Sequence, residues 1–211
     1  MTRAEPLSEC ALCPRLVAFR EQNQASFADW FNAPVPSFGD ETARLAVVGL
    51  APGLRGANRT GRPFTGDYAG HLLYSTLIKF GFAEGEYAER VDDGLKLKDC
   101  LITNAVRCVP PENKPLTAEI KSCRTYLAAR LCAMPNLQAI VMLGRIAHDS
   151  TLHALKLKLA AHKFGHGAVH RPPDMPALFD SYHCSRYNTN TGALTTAMFE
   201  AVFSAVRSEL R

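Results

Sequence analysis

The stretch RLAVVGLAPG, residues 44–53, is a short apolar run that ends in a glycine- and proline-containing turn. Its near-continuous apolar character, Arg44 to Leu50, suits a strand of a parallel sheet covered on both faces. Three further runs share it: DCLITNA (99–105), LQAIVMLG (137–144) and ALFDSYH (177–183). Helical patterns lie between and around them. AGHLLYSTLIKFGF sets Leu72, Leu73, Thr76, Leu77 and Phe80 on one face and stops at Gly81. LTAEIKSCRTYLAARL repeats Ile120, Cys123, Leu127 and Leu131 at helical spacing, with Thr117 as the expected N-cap. An opening helix at CPRLVAFREQNQ and a closing one at GALTTAMFEAVFSAVRSEL complete the pattern. Alternating β and α elements predict an α/β fold, a three-layer α/β/α sandwich around a mostly parallel four-stranded sheet, with residues 1–211 forming a single domain. Ligand chemistry in such sheets collects beyond the carboxyl ends of the strands. The unusual residues fall there, in GLAPG, TNAVRC and YHCSRYNTNTG.

Composition bounds the function without choosing it. With 47% hydrophobic and 21% charged residues over 211 positions, the chain is of globular type. No apolar run approaches the roughly 20 residues that span a bilayer, so no membrane association is expected. The opening MTRAEPLSECALCPRL lacks the apolar core of a secretory signal, and a cytoplasmic, reducing setting is expected. A formal charge of +4 is compatible with a polyanionic partner and does not require one.

Seven cysteines, an odd number, argue against a disulfide framework. Cys10 and Cys13 form a C-x2-C pair at a helix head. Cys108 and Cys123 are separated by fourteen residues that include Pro110, Pro111 and Pro115, so a stiff loop can return one thiol to the other. Four thiolates from two segments suit zinc or an iron–sulfur cluster, and spacing does not separate the two. Buried thiols with no metal are the alternative, and the one expected for Cys100 and Cys132.

Three loops carry candidate chemistry. GLAPG fits neither dinucleotide- nor P-loop-type phosphate motifs. The stretch GANRTGRPFTGDYAG, 56–70, reads as a loose, charged segment with little to bury. Within and beside it, Arg55, Arg59 and Arg62 can meet phosphates, Phe64 offers a flat face to a base, and Asp67 is either a helix cap or a working carboxylate. Asn104 at the end of the second run has the donor and acceptor to read a pyrimidine edge, unless it only terminates a strand. His183 closes the fourth run as a buried residue or as a group facing a ligand. The proline-rich NAPVPSF and VPPENKP read as surface loops.

Taken together, GLAPGLRGANRTGRPFTGD, NAVRCVPPENKPLTAEIKSC and HCSRYNTNTGALT resemble, in order and spacing, the motifs of the family-five (type B) uracil-DNA glycosylases. These are the iron–sulfur branch of the uracil-DNA glycosylase superfamily. The resemblance covers most of the chain from Cys10 onward. It implies a monofunctional enzyme that flips uracil, and other deaminated bases such as hypoxanthine or xanthine, out of double-stranded DNA and hydrolyses the N-glycosidic bond, leaving an abasic site. It implies a [4Fe-4S] cluster on Cys10, Cys13, Cys108 and Cys123, with a structural role.

The resemblance further implies that Phe64 stacks on the base, Asn104 addresses its pairing edge and His183 stabilises its departing anion. Asp67 takes over the work of the polar residue that many relatives carry where this chain has Ala51. The less polar first motif implies a broader base range. Arg55, Arg59, Arg62, Ser185, Arg186 and Tyr187 would contact DNA, Arg186 or Tyr187 filling the gap left by the base. Where the family usually has His-Pro-Ser, this chain has His183-Cys184-Ser185. A monomer is expected; the competing reading is a catalytically silent iron–sulfur module that binds nucleic acid.

Overall fold

All four apolar runs form five-residue strands in which every residue is buried. The computed structural model describes residues 3–211. In chain order the elements are α1 (Pro14–Ser26), β1 (Phe38–Gly39), β2 (Leu45–Gly49), α2 (Ala57–Thr60), α3 (Tyr68–Lys79), β3 (Ala83–Glu84), β4 (Lys96–Leu97) and β5 (Cys100–Asn104), followed by α4 (Thr117–Cys132), β6 (Ala139–Leu143), α5 (Arg145–Ala154), β7 (Val169–His170), β8 (Ala177–Ser181), α6 (Arg186–Asn190) and α7 (Thr196–Glu209).

The main sheet runs β1-β5-β2-β6-β8-β7. Its four inner strands are mutually parallel, and β1 and β7 pair antiparallel at the two edges. The sheet therefore has six strands, not the expected four. The two additions are two-residue edge strands, too short to leave an apolar run in the sequence. Among the described residues, no helix is long and apolar enough to cross a membrane.

Alternate strand residues face opposite layers. Leu45, Val47, Ile102, Val141 and Phe179 pack under α3 and α7 with Leu73, Leu77, Phe199 and Phe203. Ala46, Val48, Leu101, Ile140 and Met142 pack under α4 and α5 with Leu127, Leu131, Ala147 and Leu152. Burying each such Leu or Phe contributes about 1.5–3 kcal/mol, which is what holds three layers together. The helix α3 ends as expected, with Gly81 at φ +72° just beyond Phe80.

Two local expectations are corrected. The N-cap of α4 is Leu116, not Thr117, because Glu119 reaches back to accept the Leu116 N–H at 2.7 Å. Cys100 is fully buried as expected, but Cys132, the last residue of α4, is exposed. The helix α5 mixes polar residues into its buried face, where His148, Ser150 and Thr151 stand beside Ala147 and Leu152.

The chain leaves β2 to reach β5 on one side, and β6 lies on the other. The strand order therefore reverses at β2, where parallel sheets open a crevice.

Candidate active site

A cleft of about 420 Å³ opens at that reversal. Leu50 and Ala51 enter it from the turn after β2, Asn104 from the end of β5 and His183 from just beyond β8. Phe64, Asp67 and Tyr68 come from the segment before α3, and Ser185 and Arg186 from the start of α6. Five expected site residues, Ala51, Phe64, Asp67, Asn104 and His183, thus line one cleft.

Asn104 is 3% exposed, and its Oδ1 has no hydrogen-bond partner among the described residues. A buried carbonyl oxygen left unpaired costs about 1–3 kcal/mol, so its environment calls for an N–H donor from a ligand. The approach of Asn104 depends on Gly49, where a Cβ would overlap Asn104 Oδ1 and come within 2.6 Å of the Phe64 ring.

Asp67 is both cap and cleft residue. It is the N-cap of α3, with Oδ1 accepting the Ala69 N–H at 3.1 Å. Burial raises its pKa, and the backbone N–H groups of Gly70 and Ala69 oppose that rise by stabilising the carboxylate. Burial pushes the His183 imidazole down to about 4, so the ring is neutral at neutral pH. Asn188 Nδ2 donates to the His183 carbonyl at 2.8 Å and fixes the turn behind it. Cys184, which stands where the resembling family usually has proline, is fully buried in the core.

Phe64 adopts φ +53°, a left-handed conformation that a bulky residue tolerates only when its surroundings impose it. Those surroundings are visible. The Tyr87 hydroxyl donates to the Phe64 carbonyl at 3.0 Å and accepts the Gly66 N–H at 3.3 Å. The resulting pose sets the Phe64 ring 27° from the plane of His183, with centroids 6.0 Å apart.

The segment 56–70 is therefore not loose. It holds α2, and Ala57, Asn58, Arg62, Phe64 and Thr65 are buried. Arg62 is a correction to the expected phosphate contacts. Its guanidinium is buried, forks onto Asp93 at 2.9 and 2.7 Å, and sends Nε to Thr65 Oγ1 at 2.7 Å. Burial disfavours the Asp93 carboxylate, but the Arg62 fork and the N–H groups of Ala88 and Leu95 outweigh it and lower its pKa.

Arg55 and Arg59 are exposed, as are Arg186 and Tyr187 at the cleft's rim. Arg186 lies over the Tyr68 ring at 5.2 Å, and Tyr187 is 75% exposed. Ser185 caps α6 through its hydroxyl. Two polar cleft residues are not among those expected from the sequence. Tyr68 follows Asp67 directly, and Asn113, at φ +57°, comes from the VPPENKP segment taken for surface loop. Its only sequence signal was an Asn, a residue tolerant of left-handed backbone, after two prolines.

Behind Ala51 lies a second, apolar pocket. Cys10, Cys13, Cys108 and Cys123 line it together with Leu16, Val106 and Tyr126. Ala51 packs against Leu16, Val106 and Cys123, so cleft and cysteine pocket share a wall. The Arg107 N–H donates to Cys123 Sγ at 3.3 Å, and Arg20 Nη1 stands 4.0 Å from Cys108 Sγ. Arg15 at the start of α1 pairs with Glu119 of α4 at 2.7 Å, joining two of the cysteine-bearing segments. Burial first and Cys123 second push the Cys108 thiol up to about 12; burial alone is the main cause that takes Cys123 to about 11. Thiolates held this way need a bound cation. No three of the sulfurs lie within 4.8 Å of one another. A single tetrahedral zinc, with Zn–S of about 2.3 Å, would draw its thiolates to roughly 3.8 Å apart. Four thiols around one apolar pocket, with N–H donors aimed at two of the sulfurs, fit a metal–thiolate group.

The uracil DNA glycosylase superfamily matches over residues 36–207. A type-5 uracil-DNA glycosylase of Thermus thermophilus is 44% identical over 209 residues, covering 96% of this chain and 95% of the relative. The type-5 enzyme of Pyrobaculum aerophilum is 40% identical over 194 residues, covering 90% and 84%. That of Mycobacterium tuberculosis is 40% identical over 209 residues, covering 93% and 76%.

Proposed function

Since this chain belongs to the uracil-DNA glycosylase superfamily, among type-5 relatives, and is a DNA N-glycosylase, a hydrolase of N-glycosyl bonds, we propose that its cleft excises uracil and other deaminated bases from duplex DNA. The observation that carries the assignment of the cleft is Asn104, whose Oδ1 has no partner among the described residues and which lines the same cleft as Asp67 and His183. The imide N–H of uracil is a donor of the kind that oxygen lacks, and hypoxanthine and xanthine carry ring N–H groups of the same class.

The extruded base enters against the Phe64 face, at an unpairing cost of a few kcal/mol that is least for a mispaired base. As the glycosidic bond breaks, the sugar gains oxocarbenium character and the base carries away the electron pair. Neutral His183 donates one ring N–H to the developing anion on the base. Because the ring is already neutral, it stabilises charge without transferring a proton. Ionised Asp67 stabilises the sugar cation and orients the attacking water. Ala51 offers neither charge nor hydrogen bond, which leaves the pocket open to bases larger than uracil. Arg55, Arg59 and Arg186 face phosphates, Ser185 borders the strand, and Tyr187 fills the gap that the flipped base leaves.

The four cysteines would hold a [4Fe-4S] cluster, whose contribution is structural: it would fix the wall shared with Ala51 and the turn after Asn104. Hydrolysis requires no electron transfer. The protein is proposed to act as a monomer of one domain.

The test uses purified protein on duplex oligonucleotides with uracil, hypoxanthine, xanthine or thymine opposite guanine, followed by alkali. Scission at uracil and at hypoxanthine or xanthine is expected. Scission at uracil alone overturns the broad range, and none at all overturns the enzymatic reading in favour of a silent binding module.

A further inference from the structure

His148 of α5, His170 of β7 and Asp180 of β8 bring one ligand atom each to within 4.8 Å of one another. His148 and Asp180 are fully buried, and His170 is 13% exposed at the edge. The base cleft and the cysteine pocket use none of the three.

Their hydrogen-bond arithmetic is unusual. His148 Nε2 lies 2.9 Å from the His162 carbonyl, and Nδ1 lies 2.7 Å from Asp180 Oδ1. Both partners can only accept, whereas a neutral imidazole carries one N–H. Whichever nitrogen carries the single N–H, the other turns a lone pair toward an acceptor oxygen, a clash that a cation shared by the trio would remove. His170 Nε2 approaches the other carboxylate oxygen at 3.2 Å, and the Gly165 N–H donates to that oxygen at 3.3 Å. A carbonyl on the remote nitrogen of a histidine and an N–H on a ligating carboxylate are the supports that orient metal ligands.

We propose that His148, His170 and Asp180 form a site for a divalent transition-metal ion, zinc being the best match to two imidazoles and a carboxylate. Ligands at about 2.0–2.1 Å from a tetrahedral ion stand roughly 3.3 Å apart. His148 Nδ1 stands 2.7 Å from Asp180 Oδ1 and His170 Nε2 3.2 Å from Oδ2, so the carboxylate has to turn a little to share an ion with both imidazoles. The fourth position falls to water or to the His162 ring, whose centroid is 5.4 Å from that of His170. A bound ion would tie α5 to β8 three residues before His183. Gly144, the N-cap of α5, already donates its N–H to Ser181 at 2.8 Å, and a Cβ there would lie 3.4 Å from His183 Cβ. The ion would thus brace the turn that presents the catalytic imidazole.

The test is equilibrium dialysis of chelator-washed protein against micromolar zinc, with iron quantified so that only chains with a filled cysteine pocket are scored. One zinc per chain is expected, with affinity reduced at least tenfold in His170→Ala and in Asp180→Asn, and retained in Cys132→Ser. Zinc should also raise the Tm of the parent and not that of His170→Ala. If Asp180→Asn does not fold, His170→Ala decides, since its ring sits at the exposed edge. No stoichiometric zinc, binding indifferent to His170→Ala, or binding lost in Cys132→Ser overturns the proposal; the first would make the trio a proton-bridged network.

Discussion

The carboxylate of Asp67 occupies the space that a side chain on Gly56 would need: a Cβ there would stand 2.5 Å from Oδ2 and 2.9 Å from the Asp67 Cβ. Gly53 approaches the same oxygen, its Cβ position lying 3.2 Å away. The glycines after β2 therefore let the backbone close around one carboxylate. Gly56→Ala is expected to push that carboxylate aside and lower kcat by about 10²-fold, the scale of an ångström-level misplacement, with DNA affinity little changed. Single-turnover kinetics and a binding titration check the split.

Asp67 has two roles that substitution can separate. Asparagine caps a helix as well as aspartate does, whereas alanine loses about 1 kcal/mol. Asp67→Asn should therefore keep Tm near that of the parent and lower kcat by about 10²–10³-fold, the range for removing one preorganised electrostatic group. Asp67→Ala should lose both. Equal activity in Asp67→Asn and the parent would remove Asp67 from the chemistry.

The pH response of His183 follows from its depressed pKa of about 4. Between the ordinary value near 6.5 and about 4, the unfolded chain binds a proton that the folded chain refuses. Stability is therefore lost as pH falls through that window. His183→Gln should show a smaller fall in Tm from pH 7 to pH 5 than the parent. Because the imidazole is neutral well below pH 6.5, kcat/KM on uracil should show no acid limb near 6.5; a limb there would mean that the ring titrates normally.

The cysteine pocket predicts coupled losses. Cys108→Ala should abolish bound iron and its colour, lower Tm, and lower kcat/KM on uracil through the wall shared with Ala51. Glu119→Gln removes the charge that joins Arg15 of α1 to α4, and should speed cluster loss under chelation without abolishing assembly. Iron analysis and the time course of bleaching measure both. Full iron content in Cys108→Ala would exclude it as a ligand.

Where the fold was legible, burial on both faces left a local signature, as in the four strands whose five residues are all apolar or buried. The edge strands Phe38–Gly39 and Val169–His170 are too short to leave one. The helix α5 hides because polar residues, His148, Ser150 and Thr151, share its buried face, and His148 finds its partner Asp180 32 residues away. The site was legible where a residue follows a strand, as Asn104 and His183 do. Tyr87 was not, since it acts only through the backbone of a segment more than twenty residues away.

Arg62 shows what such distance conceals and gives the clearest contrast among the arginines. Its partner Asp93 lies 31 residues along the chain, so in the sequence it looks like Arg55 and Arg59. Folded, the pair is nearly inaccessible, with side chains 6% and 0% exposed. Removing one member leaves a buried charge that water cannot reach, at a cost of about 3–5 kcal/mol. Arg62→Ala should therefore unfold at markedly lower temperature. The folded fraction should keep the salt dependence of DNA binding, because no phosphate contact is lost. Arg59→Ala should do the reverse, leaving Tm unchanged and reducing by about one the slope of log K against log salt, as expected for one phosphate contact. Thermal melts and binding titrations at several salt concentrations distinguish the two. A shallower salt slope in Arg62→Ala at full folding would return that residue to the DNA interface.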